Sequence, residues 1–470
     1  IIYQEQVMQI AQVFAGYDMG EADLLRRAMG KKIQAEMDAQ RQRFLEGAKA
    51  NGVSAERANH VFDLVDKFAG YGFNKAHSAG YALIAYQTAY LKAHYPLEFL
   101  AASMTVDSGN TDKLSVFKLE AKRLGIEVIP PDINTSYVAF AVDVEKNAIR
   151  YALSAVKNVG AQAMEGVVAE RDANGPFKDL ADFAGRIDPR AANRRQLENL
   201  AAAGTFDALE PNRAQAFASV QPIGSFAAAA SREREAGQSS LFGGESGTDG
   251  RELVVESVRQ WSRVILLNNE RDAVGFFLSA HPLEVYEAVL AEAGVVPSDQ
   301  LETRAGSSGG VMALAGTVER KVERRSARGN RYAHIGLSDL SGGFEVTVFS
   351  ELLESAGTLL EPGSSVVINV EVQIQEESLR VTAQSIRSLD DLAAQKFENL
   401  EIFVDGAEGF DALGQTLGPA NCGHTKVLVI VFDIALGGEV EIALAGRYSI
   451  LPEVEEALAR TPGVKGLRGT

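Results

Sequence analysis

The spacing of apolar residues changes along the chain, and that change limits the fold more than any single motif. Over residues 1 to about 125, apolar side chains recur at helical spacing in VMQIAQVF, ERANHVFDLVDKF and YALIAYQTAYL, with glycine-containing breaks between runs. Between 311 and 388 they alternate at period two in VMALAGTVERKV, YAHIGLSDLSG, GFEVTVF, SSVVINVEVQIQ and LRVTAQSI. Five short strands with a long charged connection after the first predict a small Greek-key barrel of the OB type. The spacing predicts short helices at 150–209, with glycine turns inside AVKNVGAQAMEGVVAER and LENLAAAGTFDAL. VIPPDINTS at 128–136 reads as an extended crossing. Residues 222–250 are rich in Ala, Gly and Ser, a linker composition. A mostly helical connector at 251–308 then precedes the barrel, and 391–470 reads as a small α/β domain. The fold class is therefore multidomain α+β.

Charge becomes informative only when it is localised. The net charge is −17, yet residues 1–100 hold 11 Lys/Arg against 11 Asp/Glu, so the excess acid lies in the remaining 370 residues. A concentrated basic face can still bind phosphate on such a chain, because salt hides distant charge beyond about 8–10 Å. Cys422 is the single cysteine, which excludes an internal disulfide and points to a reducing, cytoplasmic compartment. The longest apolar run, VLVIVF at 427–432, is too short to span a bilayer. The start, Ile-Ile-Tyr-Gln, carries no signal-type region and reads as the interior of a longer protein.

Five stretches suggest binding chemistry. GYGFNKAHS places Tyr71, Asn74, Lys75 and His77 in a glycine-flexible turn that feeds a helix, without a carboxylate. A helix start presents free N–H groups and a positive dipole end, so phosphate is the natural ligand. The tyrosines that follow, Tyr86 and Tyr90, share a helical face with Ala79, Ala82, Leu83 and Ala93 and read as core. ADLLRRAMGKK sets Arg26, Arg27, Lys31 and Lys32 within seven residues with no acid between them; phosphate contact competes there with a solvated face. AVKNVG places Lys157, Val159 and Gly160 in a turn whose backbone N–H groups suit a DNA phosphate, with plain packing of a helical hairpin as the alternative. QSSLF puts Leu241 and Phe242, after Gln238, in the linker, where nothing nearby buries them and a partner's pocket would. ERKVERRSARGNRY carries Arg320, Lys321, Arg324, Arg325, Arg328 and Arg331, with Tyr332, Phe344 and Phe349 as aromatics for stacking bases of a single strand. There is no Walker loop, GxGxxG, CxxC or HExxH, and no Asp-x-Asp pair in residues 1–160. A carboxylate cluster able to hold two metal ions is thus not visible.

IIYQEQVMQIAQVFAGYDMGEADLLRRAMGKK, GYGFNKAHSAGYALIAYQTAYLKAHYPLEFLAA, IPPDIN and NRRQLENLAAAGTFD resemble the bacterial replicative DNA polymerase III alpha subunit family, densely over residues 1–210 and in outline beyond. The resemblance implies polymerase fingers at 1–125, a helix-hairpin-helix and clamp-binding region at 126–221, a linker with a sliding-clamp peptide at 222–250, a connector at 251–308 and an OB domain at 309–390. It implies a domain at 391–470 that docks the clamp-loader tau subunit, although this tail holds 12 acidic against 6 basic residues and matches only in outline. It maps Arg26, Arg27, Tyr71, Asn74 and His77 onto positions lining the incoming nucleotide and template. The family's metal-binding aspartates, and hence its Mg2+, are expected in a palm domain outside these residues. Primer–template DNA, dNTP, single-stranded DNA, the beta sliding clamp and tau are the implied partners. DNA-directed DNA synthesis is the implied activity of the whole protein, with the portion alone inactive. An error-prone alpha-subunit paralogue and a non-catalytic clamp adaptor are the competing readings.

Overall fold

Helical apolar spacing in the first hundred residues produces α1 (Gln4–Ala15), α2 (Met19–Lys31), α3 (Gln34–Ala50), α4 (Ala55–Phe68) and α5 (Lys75–His94). The structure is a computed structural model that describes residues 1–31, 34–68, 73–236, 253–255, 257–306, 309–326, 329–375, 378–417, 423–433 and 438–469. The chain divides into two compact units, Ile1–Phe99 and Leu100–Thr470. In the first, Gly16 ends α1 in the left-handed region (φ +64), which glycine adopts without a Cβ clash. Helices α1–α4 bury Val7, Leu25, Met29, Phe44, Phe62 and Val65 in one core. The Phe44 ring lies 5.4 Å from Phe62 and 6.3 Å from Tyr17, and burial pushes the Tyr17 hydroxyl up to about 12. Helix α5 departs from expectation, since none of its residues is buried. Tyr86, Tyr90 and Leu83 stand exposed instead of packing, because their helix has an apolar surface on every side and no element among the described residues covers it.

Helix α6 (Pro96–Val106) carries the chain into the second unit, where α7 (Thr111–Arg123) leads to a three-stranded sheet. Its strands are β1 (Glu127–Ile129), β2 (Ala141–Asp143) and β3 (Ala148–Arg150), in the order β1-β3-β2. Helices α8 (Ala161–Asn174), α9 (Leu180–Arg186), α10 (Arg194–Ala202), α11 (Arg213–Ala218) and α12 (Val220–Ala236) follow. The element before α8 is one 3-10 turn, Leu153–Ala155, so the first expected hairpin lacks a full leading helix. The first part of the linker expected at 222–250 is helix, and residues 237–250 lie outside the described residues. That alanine-rich part is the end of α12, which buries Ile223 and Ala227, as a strong helix former does once an apolar face is available.

Helices α13 (Arg263–Val274), α14 (Glu287–Glu292) and α15 (Leu301–Ala305) form the connector. The period-two segment closes into a barrel of β4 (Gly310–Arg325), β5 (Arg331–Ser338), β6 (Gly343–Phe349), β7 (Ser365–Gln375) and β8 (Ser378–Ser388), in the order β4-β5-β6-β8-β7. Helix α16 (Ser350–Ala356) lies between β6 and β7, and α17 (Leu389–Ala393) follows β8. Val318, Ile335, Val346, Val348, Ile368 and Val370 fill the interior. Strand β4 is long because it pairs with β7 through its first half and with β5 through its second, with a bulge between Val318 and Arg320. The last domain is a sheet of β9 (Asn399–Asp405), β10 (Lys426–Asp433), β11 (Gly438–Ala443) and β12 (Val464–Gly469), in the order β11-β10-β9-β12, with α18 (Gly406–Thr416) and α19 (Pro452–Arg460). Strand β12 and helix α18 were not expected from the sequence.

Candidate nucleic-acid interface

The start of α5 is built by local hydrogen bonds. Asn74 is its N-cap, accepting the His77 N–H at 3.0 Å. The Lys75 N–H, expected to be free for an anion, instead donates to both oxygens of the Glu5 carboxylate, at 3.1 and 3.0 Å. A helix end seeks acceptors for its orphan N–H groups, and α1 supplies one. The segment contains no acid of its own but meets one. The His77 ring lies 5.4 Å from Phe73 and 4.6 Å from Tyr81, at one end of an exposed aromatic row. Tyr71 lies outside the described residues.

Arg26 and Arg27 are not free cations either. Each reaches a different oxygen of Asp23, at 2.8 Å. No acid lies between the basic residues, but Asp23 precedes them by a helical turn and neutralises both arginines. Arg26's hydrogen bond, ahead of the attraction of the two guanidinium charges, holds the Asp23 carboxyl below its usual range. No hydrogen bond or ion pair among the described residues joins these arginines to Asn74, Lys75 or His77. Lys32 and the side chain of Lys31 are outside the described set.

The second unit gathers a more complete arrangement. Lys157 and Asn158 form an exposed turn in which Asn158 takes φ +64, and Val159 is buried beneath it as an anchor. Asn is the residue that tolerates the left-handed region when glycine is absent. The Lys157 N–H donates to the Ala273 carbonyl at 2.8 Å, tying the turn to the end of α13. Gly160 then starts α8 without a side-chain cap. The N–H groups of Ala161, Gln162 and Ala163 find no acceptor among the described residues. Helix α10 starts beside it. Asn193 accepts the Gln196 N–H at 3.0 Å, and Gln196 Nε2 lies 3.6 Å from where a Gly160 Cβ would stand. Two helix N-termini thus converge, with the exposed Lys157, Arg194 and Arg195 around them. Arg194 pairs with Glu198 at 2.7 Å, whereas Arg195 has no carboxylate partner among the described residues. Asn193 and Arg195 were not singled out from the sequence, although the asparagine followed by a helical apolar run is a capping signal.

A buried ionic group fixes this region to the connector. Arg213 reaches Asp207 at 2.8 Å and the fully buried Glu270 at 3.1 Å. Glu270 also accepts the N–H groups of Leu278 and Ser279, at 2.9 and 2.7 Å. Burial raises the Asp207 carboxyl despite its arginine partner.

On the barrel, the expected charged loop is mostly strand. Strand β4 runs to Arg325 and β5 begins at Arg331, leaving only residues 326–330 as connection. Pairing of opposite charges explains the extension, with Arg331 to Glu323 at 2.6 Å and Arg320 to Glu345 at 3.4 Å between strands, and Lys321 to Glu361 at 2.9 Å in the connection before β7. Arg324 and Arg325 are exposed and have no such partners among the described residues, and Arg328 lies outside those residues. Register places Arg324 opposite Tyr332, and Tyr332 opposite Phe349. The Arg380 guanidinium stands 5.9 Å from the Phe349 ring, and His334 lies 5.4 Å from Tyr332. Phe349 is 44% exposed, whereas Phe344 is partly buried and packs against the barrel core. Arg380 and His334 were missed because they sit on other strands and meet this row only once the barrel closes.

Gln238, Leu241 and Phe242 lie outside the described residues. Among those described, no group of three or more His, Cys, Asp or Glu is placed to hold a metal ion. No described helix is long and apolar enough to cross a membrane.

Two family models match parts of the chain. Residues 1–52 match the bacterial DNA polymerase III alpha subunit finger domain, and residues 125–216 match a helix-hairpin-helix motif. The chain is 43% identical over 465 residues to the DNA polymerase III subunit alpha of Caulobacter vibrioides (strain NA1000 / CB15N), covering 99% of this chain and 40% of that protein. Against the same subunit of Escherichia coli (strain K12) it is 40% identical over 439 residues, covering 91% and 37%. Against that of Thermus aquaticus it is 42% identical over 408 residues, covering 86% and 32%. The chain is therefore similar over most of its length to bacterial DNA polymerase III alpha subunits, and it spans about two-fifths of their length or less.

Proposed function

We propose that the chain is the DNA-holding and nucleotide-gripping portion of a replicative DNA polymerase. The observation that carries this reading is the pair of converging helix N-termini at Gly160 and Asn193. One of them is uncapped, and cations surround both. Backbone N–H groups and Lys157 and Arg195 suit phosphates and read no bases, as a replicative enzyme requires. The DNA path continues on the barrel, read as an OB domain. Its strand order and the helix between its third and fourth strands support that assignment. Arg324, Arg325 and Arg380 would hold the backbone of a single strand, while Tyr332 and Phe349 stack bases.

Asn74, Lys75 and His77, with Tyr71 and with Arg26, Arg27, Lys31 and Lys32, would grip the incoming dNTP. Phosphate there must compete with Glu5 and Asp23 for the same N–H and guanidinium groups. The metal ions of phosphoryl transfer, Mg2+ in this reading, neutralise charge on the nucleotide phosphates. No residue described here is assigned to them. Gln238, Leu241 and Phe242 would tether the chain to a sliding clamp, and residues 391–470 would contact the clamp loader.

A sequence-neutral binding assay tests the reading. The purified 470 residues bind a primer–template duplex of any sequence and give no primer extension with Mg2+ and dNTPs. Extension by the chain alone contradicts the division of labour, and failure to bind duplex contradicts the function itself. Substituting alanine at Gln238, Leu241 and Phe242 abolishes clamp binding without changing DNA affinity. Clamp binding that survives removes the tether.

A further inference from the structure

We propose that Gly275 is a positioning residue for duplex DNA, whose bare Cα lets the Lys157 side chain lie across the end of α13 and so fixes where its ammonium meets a phosphate. The inference rests on the reading of the Lys157 turn as a duplex contact and adds to it a residue from another element. Gly275 lies in the connector stretch ERDAVGFFLSAHPL, residues 270–283. It closes α13 with φ +111, and its N–H donates to the Arg271 carbonyl at 2.6 Å. Many helices end on glycine for that backbone reason alone. Here the space beside the glycine is occupied as well. A Cβ at 275 would stand 2.4 Å from Thr111 Cγ2, 2.6 Å from Thr111 Cβ and 3.2 Å from Lys157 Cε. The first residue of α7, the Lys157 turn and the end of α13 therefore meet at one point.

Lys157 is held there twice. Its N–H donates to the Ala273 carbonyl at 2.8 Å, and its stem passes Gly275 two residues further along. No carboxylate among the described residues pairs with its ammonium, so the stem and not an ion pair sets the direction of the charge. A lysine loose in water gives up rotamer freedom when it closes on a phosphate, and a stem already laid along a helix end has less to give up. The neighbours of Gly275 cannot easily yield to a new side chain. Lys118 Nζ donates to the Phe277 carbonyl at 2.7 Å, which holds α7 to the segment just past Gly275, and Leu114 of α7 is fully buried. Arg271 Nη1 donates to the Val318 carbonyl of β4 at 3.4 Å, which holds the end of α13 to the barrel. Of the groups around the point, the stem of the exposed lysine has the most room to move, so a methyl group at 275 displaces Lys157 first.

A double-mutant cycle, read as the salt dependence of binding to a primer–template duplex by fluorescence anisotropy, tests the proposal. In the 470-residue chain, Lys157→Met is expected to make the slope of log K against log salt shallower by about 0.9, the value for one phosphate contact. Gly275→Ala is expected to remove about 0.5 or more of that slope and to weaken binding at low salt. In a Lys157→Met chain the same Gly275→Ala change is expected to alter neither. A general loss of structure would instead weaken binding in both backgrounds. Thr111→Leu crowds the same point from α7 without straining residue 275, and is expected to repeat the Gly275→Ala result. Urea unfolding shows which variants keep a cooperative transition, and if Gly275→Ala loses it, Thr111→Leu decides alone. An unchanged slope in the folded variant overturns the proposal, as does an equal loss with and without Lys157. Lys157→Met that binds like the unaltered chain takes the turn off the DNA path and overturns the proposed function together with the inference. A Lys157 effect without one at Gly275 or Thr111 overturns the inference alone.

Discussion

Glu5 decides what the start of α5 can bind. Its carboxylate already holds the Lys75 N–H, so an incoming phosphate meets a competitor as well as a dipole. Glu5→Gln is therefore expected to tighten pyrophosphate or dNTP binding by about two- to fivefold in equilibrium titration; unchanged or weaker binding would place the phosphate site elsewhere. His281 gives a second prediction at this scale. Buried between the Ser338 hydroxyl and the Leu283 N–H, its ring is held neutral, and burial lowers it to about 4. The unfolded ring titrates near 6.5, so the unfolded chain takes the proton first. The stability this ring contributes is complete above about pH 6.5 and is lost as the pH falls from there toward 4. Between pH 7.5 and pH 5 the loss is about 2 kcal/mol. Urea unfolding at those two pH values measures it, and His281→Gln should remove that part of the pH dependence. That Asn74 sits in a turn feeding a helix was legible from the sequence, though the hydrogen bond by which it caps that helix was not. The partners Glu5 and Asp23 were not, the first because it lies seventy residues away and the second because it precedes the basic run it neutralises.

Helix and strand types followed the apolar period wherever one face had a core to meet. The barrel strands and α1–α4 emerge where the spacing predicts them. The misreadings occur where tertiary context decides. The charged stretch 320–325 looked like a loop because charge marks turns, but cross-strand ion pairs hold it as strand and set Arg324 beside Tyr332. The alanine-rich 222–236 looked like a linker and is helix because α12 has a face to bury. From the barrel row follows a prediction for the element as a whole. Phe349→Ala should weaken binding of an oligonucleotide single strand by about 1–3 kcal/mol with little change in salt dependence. The Arg324→Glu/Arg325→Glu pair should instead flatten the slope of log K against log salt by about 1.4. Equal effects from both variants would mean the row is not divided between stacking and phosphate contact.

Across the second unit, Glu270 ties the helical region to the connector that holds the Lys157 turn. Its carboxylate joins Arg213 of the helical region to the backbone after α13, whose end also holds the Lys157 N–H. Glu270→Ala leaves the Arg213 charge and two N–H groups short of partners and should cost about 3–5 kcal/mol in chemical unfolding; a loss below 1 kcal/mol would mean the network is incidental. Holding that turn rigid matters because phosphate contacts fix register and orientation on a duplex. The paired helix starts at Gly160 and Asn193 carry the proposed DNA path, and salt dependence of primer–template binding by fluorescence anisotropy tests it directly. In a Lys157→Glu/Arg195→Glu chain the affinity at low salt should fall, and the slope of log K against log salt should become shallower by about 1.8, the value for two phosphate contacts. Unchanged affinity and slope would show that DNA does not cross these helix ends.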